Sequence, residues 1–186
     1  EYGAQFLLGH PSKQVKDKND TKIVKELVKI FKATKPKCVY IHNLADKHET
    51  HVATALKAIQ ALRELNEDEL PEKVYGCEVW RNLDWLNDDE KVYLDCGAHP
   101  NLSRALSSVF DSQIVGGKRY YLAAEGRRLS NATFYESHAC DTYYMLNYAM
   151  DLTPLIKDKS LDIADYVVGY IRRFERSVKE MLHKCS

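Results

Sequence analysis

The sequence has no excess of either charge: lysine and arginine together number 27, as do aspartate and glutamate. A polyanion binder ordinarily carries a basic surplus or stripe, so this balance points away from nucleic acid as a partner. No apolar run approaches the ~20 residues that a membrane helix requires, and no membrane span is expected. The five cysteines, Cys38, Cys77, Cys96, Cys140 and Cys185, show no C-x-x-C spacing. That removes zinc-ribbon chemistry and predicts free thiols in a reducing compartment, hence a cytoplasmic protein. No basic segment precedes the apolar Phe6-Leu7-Leu8, so the start does not read as a signal peptide. It also lacks an initiator Met, and the chain is expected to begin inside a longer protein or behind a removed segment. Two sequons, Asn101-Leu102-Ser103 and Asn131-Ala132-Thr133, carry meaning only in a chain that enters the secretory route.

What is present is a chain of 186 residues, 45% hydrophobic, which suits one globular domain with a real core. No repeat, low-complexity tract or linker divides it, so residues 1–186 are expected to form a single domain. Asn19-Asp20-Thr21 offers an N-cap for an amphipathic helix over 22–33, and Thr34-Lys35-Pro36-Lys37 ends it. The β-branched run Cys38–His42 follows as a buried strand, then a helix over 48–65 with Val52, Leu56, Ile59 and Leu62 on one face. Further strands are expected at 74–80 and 92–95, and helical patterns at 101–112, 118–125, 140–150 and 163–182. Helix, proline turn and buried strand in succession predict an α/β fold with a mostly parallel, Rossmann-like sheet flanked by helices.

The chemistry concentrates in Asn43-Leu44-Ala45-Asp46-Lys47-His48-Glu49-Thr50-His51-Val52. This segment joins strand to helix, at the sheet edge where open α/β folds place their ligands. Positions three apart share a helix face, so His48 and His51 are expected to converge. Imidazole is a good zinc ligand, and a nearby carboxylate fixes its tautomer. Taken alone, two surface histidines at a polar helix start are the commoner meaning of so short a motif.

The wider segment resembles the second motif of the PIG-L/LmbE-like zinc-dependent N-acetylglucosaminyl deacetylases, an Asp followed by His-x-x-His opening a helix after a central strand. The resemblance implies that His51 is a zinc ligand, that His48 assists at the transition state, and that Asp46 is the loop acid of the catalytic set. The residue before the second histidine is commonly Asp in that family; here it is Thr50. The likeness extends to Phe6-Leu7-Leu8-Gly9-His10 as an apolar strand and Leu-Gly stretch, and to Gly76-Cys77-Glu78-Val79-Trp80. Asp111-Ser112-Gln113, Gly116-Gly117-Lys118-Arg119-Tyr120, the segment from Asn131 to His138 and Asp151-Leu152-Thr153-Pro154-Leu155 continue it.

Family members also carry an N-terminal His-Pro-Asp-Asp motif that supplies two ligands and the catalytic Asp. His10-Pro11-Ser12-Lys13 lacks both carboxylates and reads as a loop. The domain is therefore expected to be incomplete at its N-terminus, with one or two zinc ligands of its own. The family implies hydrolysis of the acetyl amide of an N-acetylated sugar; the alternatives are a metal-free sugar-binding module or a structural subunit of a homo-oligomer. His42 and Asn43, leaving the strand beside the motif, are candidates for supporting contacts. Glu78 and Trp80, ending the next strand, are candidate sugar contacts.

Overall fold

A short helix, Ser12–Val15 (α1), leads into Lys22–Thr34 (α2), whose Ile23 and Val24 are buried while its lysines face solvent. Thr21 is the cap position, but the oxygen that takes the free Lys22 amide belongs to Asp20 (2.7 Å). At the other end Lys35 turns left-handed (φ 44°) and donates its amide to the Phe31 carbonyl at 2.8 Å. Pro36 then blocks continuation, and the chain extends. The computed structural model describes residues 3–109, 114 and 116–186.

Cys38–His42 (β1) pairs in parallel with Lys73–Cys77 (β2), in register from Cys38↔Lys73 to His42↔Cys77. The crossover between them is the helix Glu49–Arg63 (α3). Val92–Asp95 (β3), Pro100–Ser108 (α4) and Tyr120–Phe134 (α5) follow. Leu146–Asp151 (β4) then inserts antiparallel between β2 and β3, so the strand order is β1-β2-β4-β3. Pro154–Lys157 (α6) and Ile163–Cys185 (α7) complete the chain. Ile59, Leu62, Val74, Leu146, Met150, Leu152 and Leu155 fill the core. No helix among the described residues is long and apolar enough to cross a membrane.

The architecture is α/β with flanking helices, but the sheet is mixed. Among the described residues it has one parallel and two antiparallel pairings, where a mostly parallel sheet was expected. The difference lies in one segment: 140–150 was expected to be helical, and its second half is the central strand β4. Leu146, Tyr148, Ala149 and Met150 are all buried, so no alternation marks the strand and the apolar run fits either period. Phe6-Leu7-Leu8 is not a strand either. Leu7 is 85% exposed and Gly9, left-handed at φ 66°, ends the extended run without a partner among the described residues. The expected strand 74–80 stops at Cys77, because Glu78 turns inward. Asp111-Ser112-Gln113, and the end of the helix expected at 101–112, lie outside the described residues.

Candidate metal centre

β1 ends at His42, and the chain must then leave the sheet and start α3 within a few residues. Asn43, fully buried, makes the turn. Its amide donates to the Cys77 carbonyl (2.9 Å), its Oδ1 accepts the Ala45 amide (2.8 Å), and its Nδ2 lies against Met150 Sδ (3.6 Å). Gly76 leaves room for it: a Cβ there would sit 3.2 Å from Asn43 Nδ2 and 2.8 Å from Leu152 Cδ1. Asn43 is thus a structural anchor under the site.

Asp46 organises both histidines of the motif. Its Oδ1 accepts the His48 amide at 2.8 Å and its Oδ2 lies 3.1 Å from His51 Nδ1. His48 is the N-cap of α3, with extended backbone (φ −96°, ψ 118°), and so does not share a helix face with His51 as the spacing suggested. Their rings nevertheless meet, centroids 5.0 Å apart. His42 comes in from the strand and stacks on His51 at 4.0 Å with the planes within 4° of parallel.

His42, Asp46 and His51 each place one donor atom within 4.8 Å of the others. Two imidazoles and a carboxylate suit zinc, so the chain gathers three candidate ligands where one or two were expected. The donor chemistry fits, but the ring orientation does not serve both imidazoles at once. An imidazole lone pair lies in the ring plane, and two parallel planes share no point where a single ion could meet both. Ligation by both rings requires one to turn about its Cβ–Cγ bond. With Asp46 on Nδ1 of His51, Nε2 is the free donor and the carboxylate fixes the ring instead of joining it on the ion, which leaves His42 and His51 as ligands in this arrangement.

Burial opposes ionisation of Asp46, yet the His48 amide and the His51 ring outweigh it and hold the carboxyl below its ordinary value. Burial, then the neighbouring His51, push His42 below the usual imidazole range, partly offset by Asp46. A neutral ring is the form that binds a metal. No protein-family model and no curated protein matches the chain.

The second wall comes from the turn after β2. Glu78 is 4% exposed, and its Oε2 accepts the Leu83 amide (3.3 Å) and the Trp85 indole N–H (3.2 Å). Oε1 has no hydrogen-bond partner among the described residues, with Arg81 Nη1 3.5 Å away. Burial pushes this carboxyl up, against the pull of Trp85, Leu83 and Arg81. Arg81 Nη1 also donates to the Ala45 carbonyl at 2.6 Å, tying this turn to the Asp46 loop. Asn82 and Leu83 are both left-handed (φ 54° and 57°), a strained pair held by the Leu83–Glu78 contact and a two-way amide bond between Asn82 and Asn131. Glu78 is therefore an internal anchor and not an exposed strand-end contact.

Trp80 does face the site, its ring 4.9 Å from His48 and under Lys47 Nζ at 4.4 Å. It borders a cavity of about 400 Å³ lined also by His51, Leu106, Tyr120 and Arg128. The contributions of α4 and α5 to this cavity had no motif to mark them; only the helical spacing of Tyr120, Ala124 and Arg128 hints at a shared face.

Proposed function

We propose that this chain carries part of the active site of a zinc-dependent N-deacetylase that hydrolyses the acetyl amide of an N-acetylated sugar. The carrying observation is the His42–Asp46–His51 cluster at the C-terminal end of a parallel strand pair, with His51 lining a cavity. The likeness of residues 46–52 to the deacetylase motif supports it, and in that family the sheet is Rossmann-like and a His-Pro-Asp-Asp motif supplies the remaining ligands and the base. Zinc, when bound, polarises the amide carbonyl and acidifies a water.

The chain's own residues have separable tasks. Ionised Asp46 holds His51 by Nδ1 and so aims Nε2 outward. His42, kept neutral, lends its second donor once its ring turns. His48 lies between His51 and Trp80, where it donates to the developing oxyanion or protonates the departing amine. Trp80, bordering the cavity beside His51, offers an aromatic surface to a pyranose. Zinc calorimetry on the chain and on His51→Ala, with amine release from N-acetylglucosamine as the activity readout, tests the assignment. Weak zinc binding that His51→Ala removes is expected from the chain, and amine release from a full-length form that adds the remaining ligands; unchanged zinc affinity in the variant sinks it. The parallel histidine stack favours a second reading, a metal-free sugar-binding module, for which N-acetylglucosamine binding persists in chelator.

A further inference from the structure

The cavity beside His51 has a far end that amide hydrolysis does not use. Two helices present one face each to it: Ser103, Leu106 and Ser107 from α4, and Tyr120, Tyr121, Ala124 and Arg128 from α5. Most of this wall is apolar or aromatic. Near the candidate metal centre the rings form a series, His51 to His48 at 5.0 Å, His48 to Trp80 at 4.9 Å, and Trp80 to Tyr120 at 6.0 Å. Arg128 lies two helical turns beyond Tyr120, about 12 Å along the axis of α5.

Arg128 is anchored, its Nη1 donating to Ser103 Oγ at 2.6 Å. A guanidinium has five donors, and among the described residues this is its one hydrogen bond, with no carboxylate paired to it. The nearest acid on its helix, Glu125, is taken by Arg104 through contacts of 2.5 and 2.7 Å. Two arginines against one glutamate leave the group a net positive charge at the end of an apolar cleft, where a guanidinium binds carboxylate or phosphate oxygens well.

We infer that Arg128 forms an anion subsite, and that the cavity takes an amphipathic ligand: an aromatic or alkyl body along Leu106 and Tyr120, bearing one carboxylate or phosphate held by Arg128. With amide cleavage at His51, the anion belongs to the part of the substrate remote from the scissile bond. That last placement rests on the deacetylase assignment, whereas the subsite does not.

Calorimetry at low salt on the metal-free protein tests it with three probes: acetanilide, 4-acetamidobenzoate and 4-acetamidophenyl phosphate. At least one anionic probe should bind about tenfold or more tightly than acetanilide, and the stronger of the two identifies the anion. Arg128→Gln should erase that preference and Arg128→Lys restore part of it. Ser107→Glu, which sets a carboxylate in the cavity beside an intact Arg128, should erase it too and covers the case in which Arg128→Gln fails to fold. Equal binding of charged and neutral probes by the wild-type protein, or a preference that survives in folded Arg128→Gln and Ser107→Glu, overturns the subsite. His51→Ala should keep the anion preference. In a full-length form that adds the remaining ligands and base, preference without zinc-dependent amine release would defeat the deacetylase assignment alone, and amine release without preference would defeat the subsite alone.

Discussion

Along β3 and β4 the tyrosines close edge-on: Tyr93 meets Tyr135 at 4.5 Å and Tyr148 at 5.6 Å, and Tyr135 meets Tyr143 at 5.4 Å. At the ends of β1 and β2 the rings are histidines stacked in parallel, beside a buried carboxylate with one oxygen unbonded and two left-handed residues in succession. Edge-on pairs suit the ring quadrupole and parallel stacks suit it less. One half of the sheet is therefore packed to satisfaction, while the other carries strain and, among the described residues, one unmet buried acceptor, Glu78 Oε1. Asn131 joins the halves, pairing with Asn82, donating to the Leu146 carbonyl (3.1 Å) and accepting the Tyr148 hydroxyl on its own carbonyl (2.9 Å).

The largest expected effect lies on the strained side. In a full-length form that supplies the remaining ligands and the base, His51→Ala should remove zinc binding and amide hydrolysis together, whereas His48→Ala should keep zinc and lose about 10²–10⁴ in rate. Equal loss of zinc in both variants would make both histidines ligands. At the joint between the halves, Asn131→Ala should cost about 3 kcal/mol in urea unfolding, since it orphans buried partners on both sides. A cost under about 0.5 kcal/mol would show that water replaces the amide. On the satisfied side, Tyr135→Leu should cost about 1 kcal/mol, the worth of its edge-on contacts, and should leave zinc affinity untouched.

The smallest effect is one of pH. His42 and Asp46 both have folded pKa values below their ordinary 6.5 and 3.8, so the unfolded chain takes up protons first. His42's contribution is whole above 6.5 and is lost as pH falls through its depressed value; Asp46's is lost in the same way below 3.8. Glu78 runs the other way, being raised: its contribution is whole below 4.5 and fades as pH rises through its folded value. Melting temperatures from pH 7.5 down to about 5 should therefore fall more steeply for the wild-type protein than for His42→Asn. Parallel curves would mean that the stack does not desolvate His42.

The sequence was most legible where one period dominates. The helices at 22–33 and 163–182 showed their stripes, and Cys38–His42 and Val92–Asp95 were short runs bounded by turn or polar residues. β4 was hidden because Met145, Leu146, Ala149 and Met150 are helix formers placed at a doubly covered position, where no alternation survives. At the site, Asp46, His48 and His51 could be picked out by spacing. The stacking of His42 could not, because it depends on how the Asn43 turn aims the strand end across nine residues at the ring of His51. Glu78 was misplaced for a similar reason: its inward turn follows from the left-handed Asn82–Leu83 pair, which has no glycine to announce it.

Asn131 also bears on how this chain can be made. It heads an Asn-Ala-Thr acceptor triplet, yet it is 2% exposed and its amide is spent on Asn82 and Leu146. An oligosaccharide is bulky and hydrated, and it is attached while a translocated chain is still open. In a secretory host, sugar transfer and folding would compete for one nitrogen, and every molecule modified there would be unable to close its sheet. Expression with that machinery should thus divide the product into an unmodified folded pool and a glycosylated pool retained as misfolded, a partition that Asn131→Gln would not cure, because it trades the glycan for a longer side chain in a space cut for asparagine.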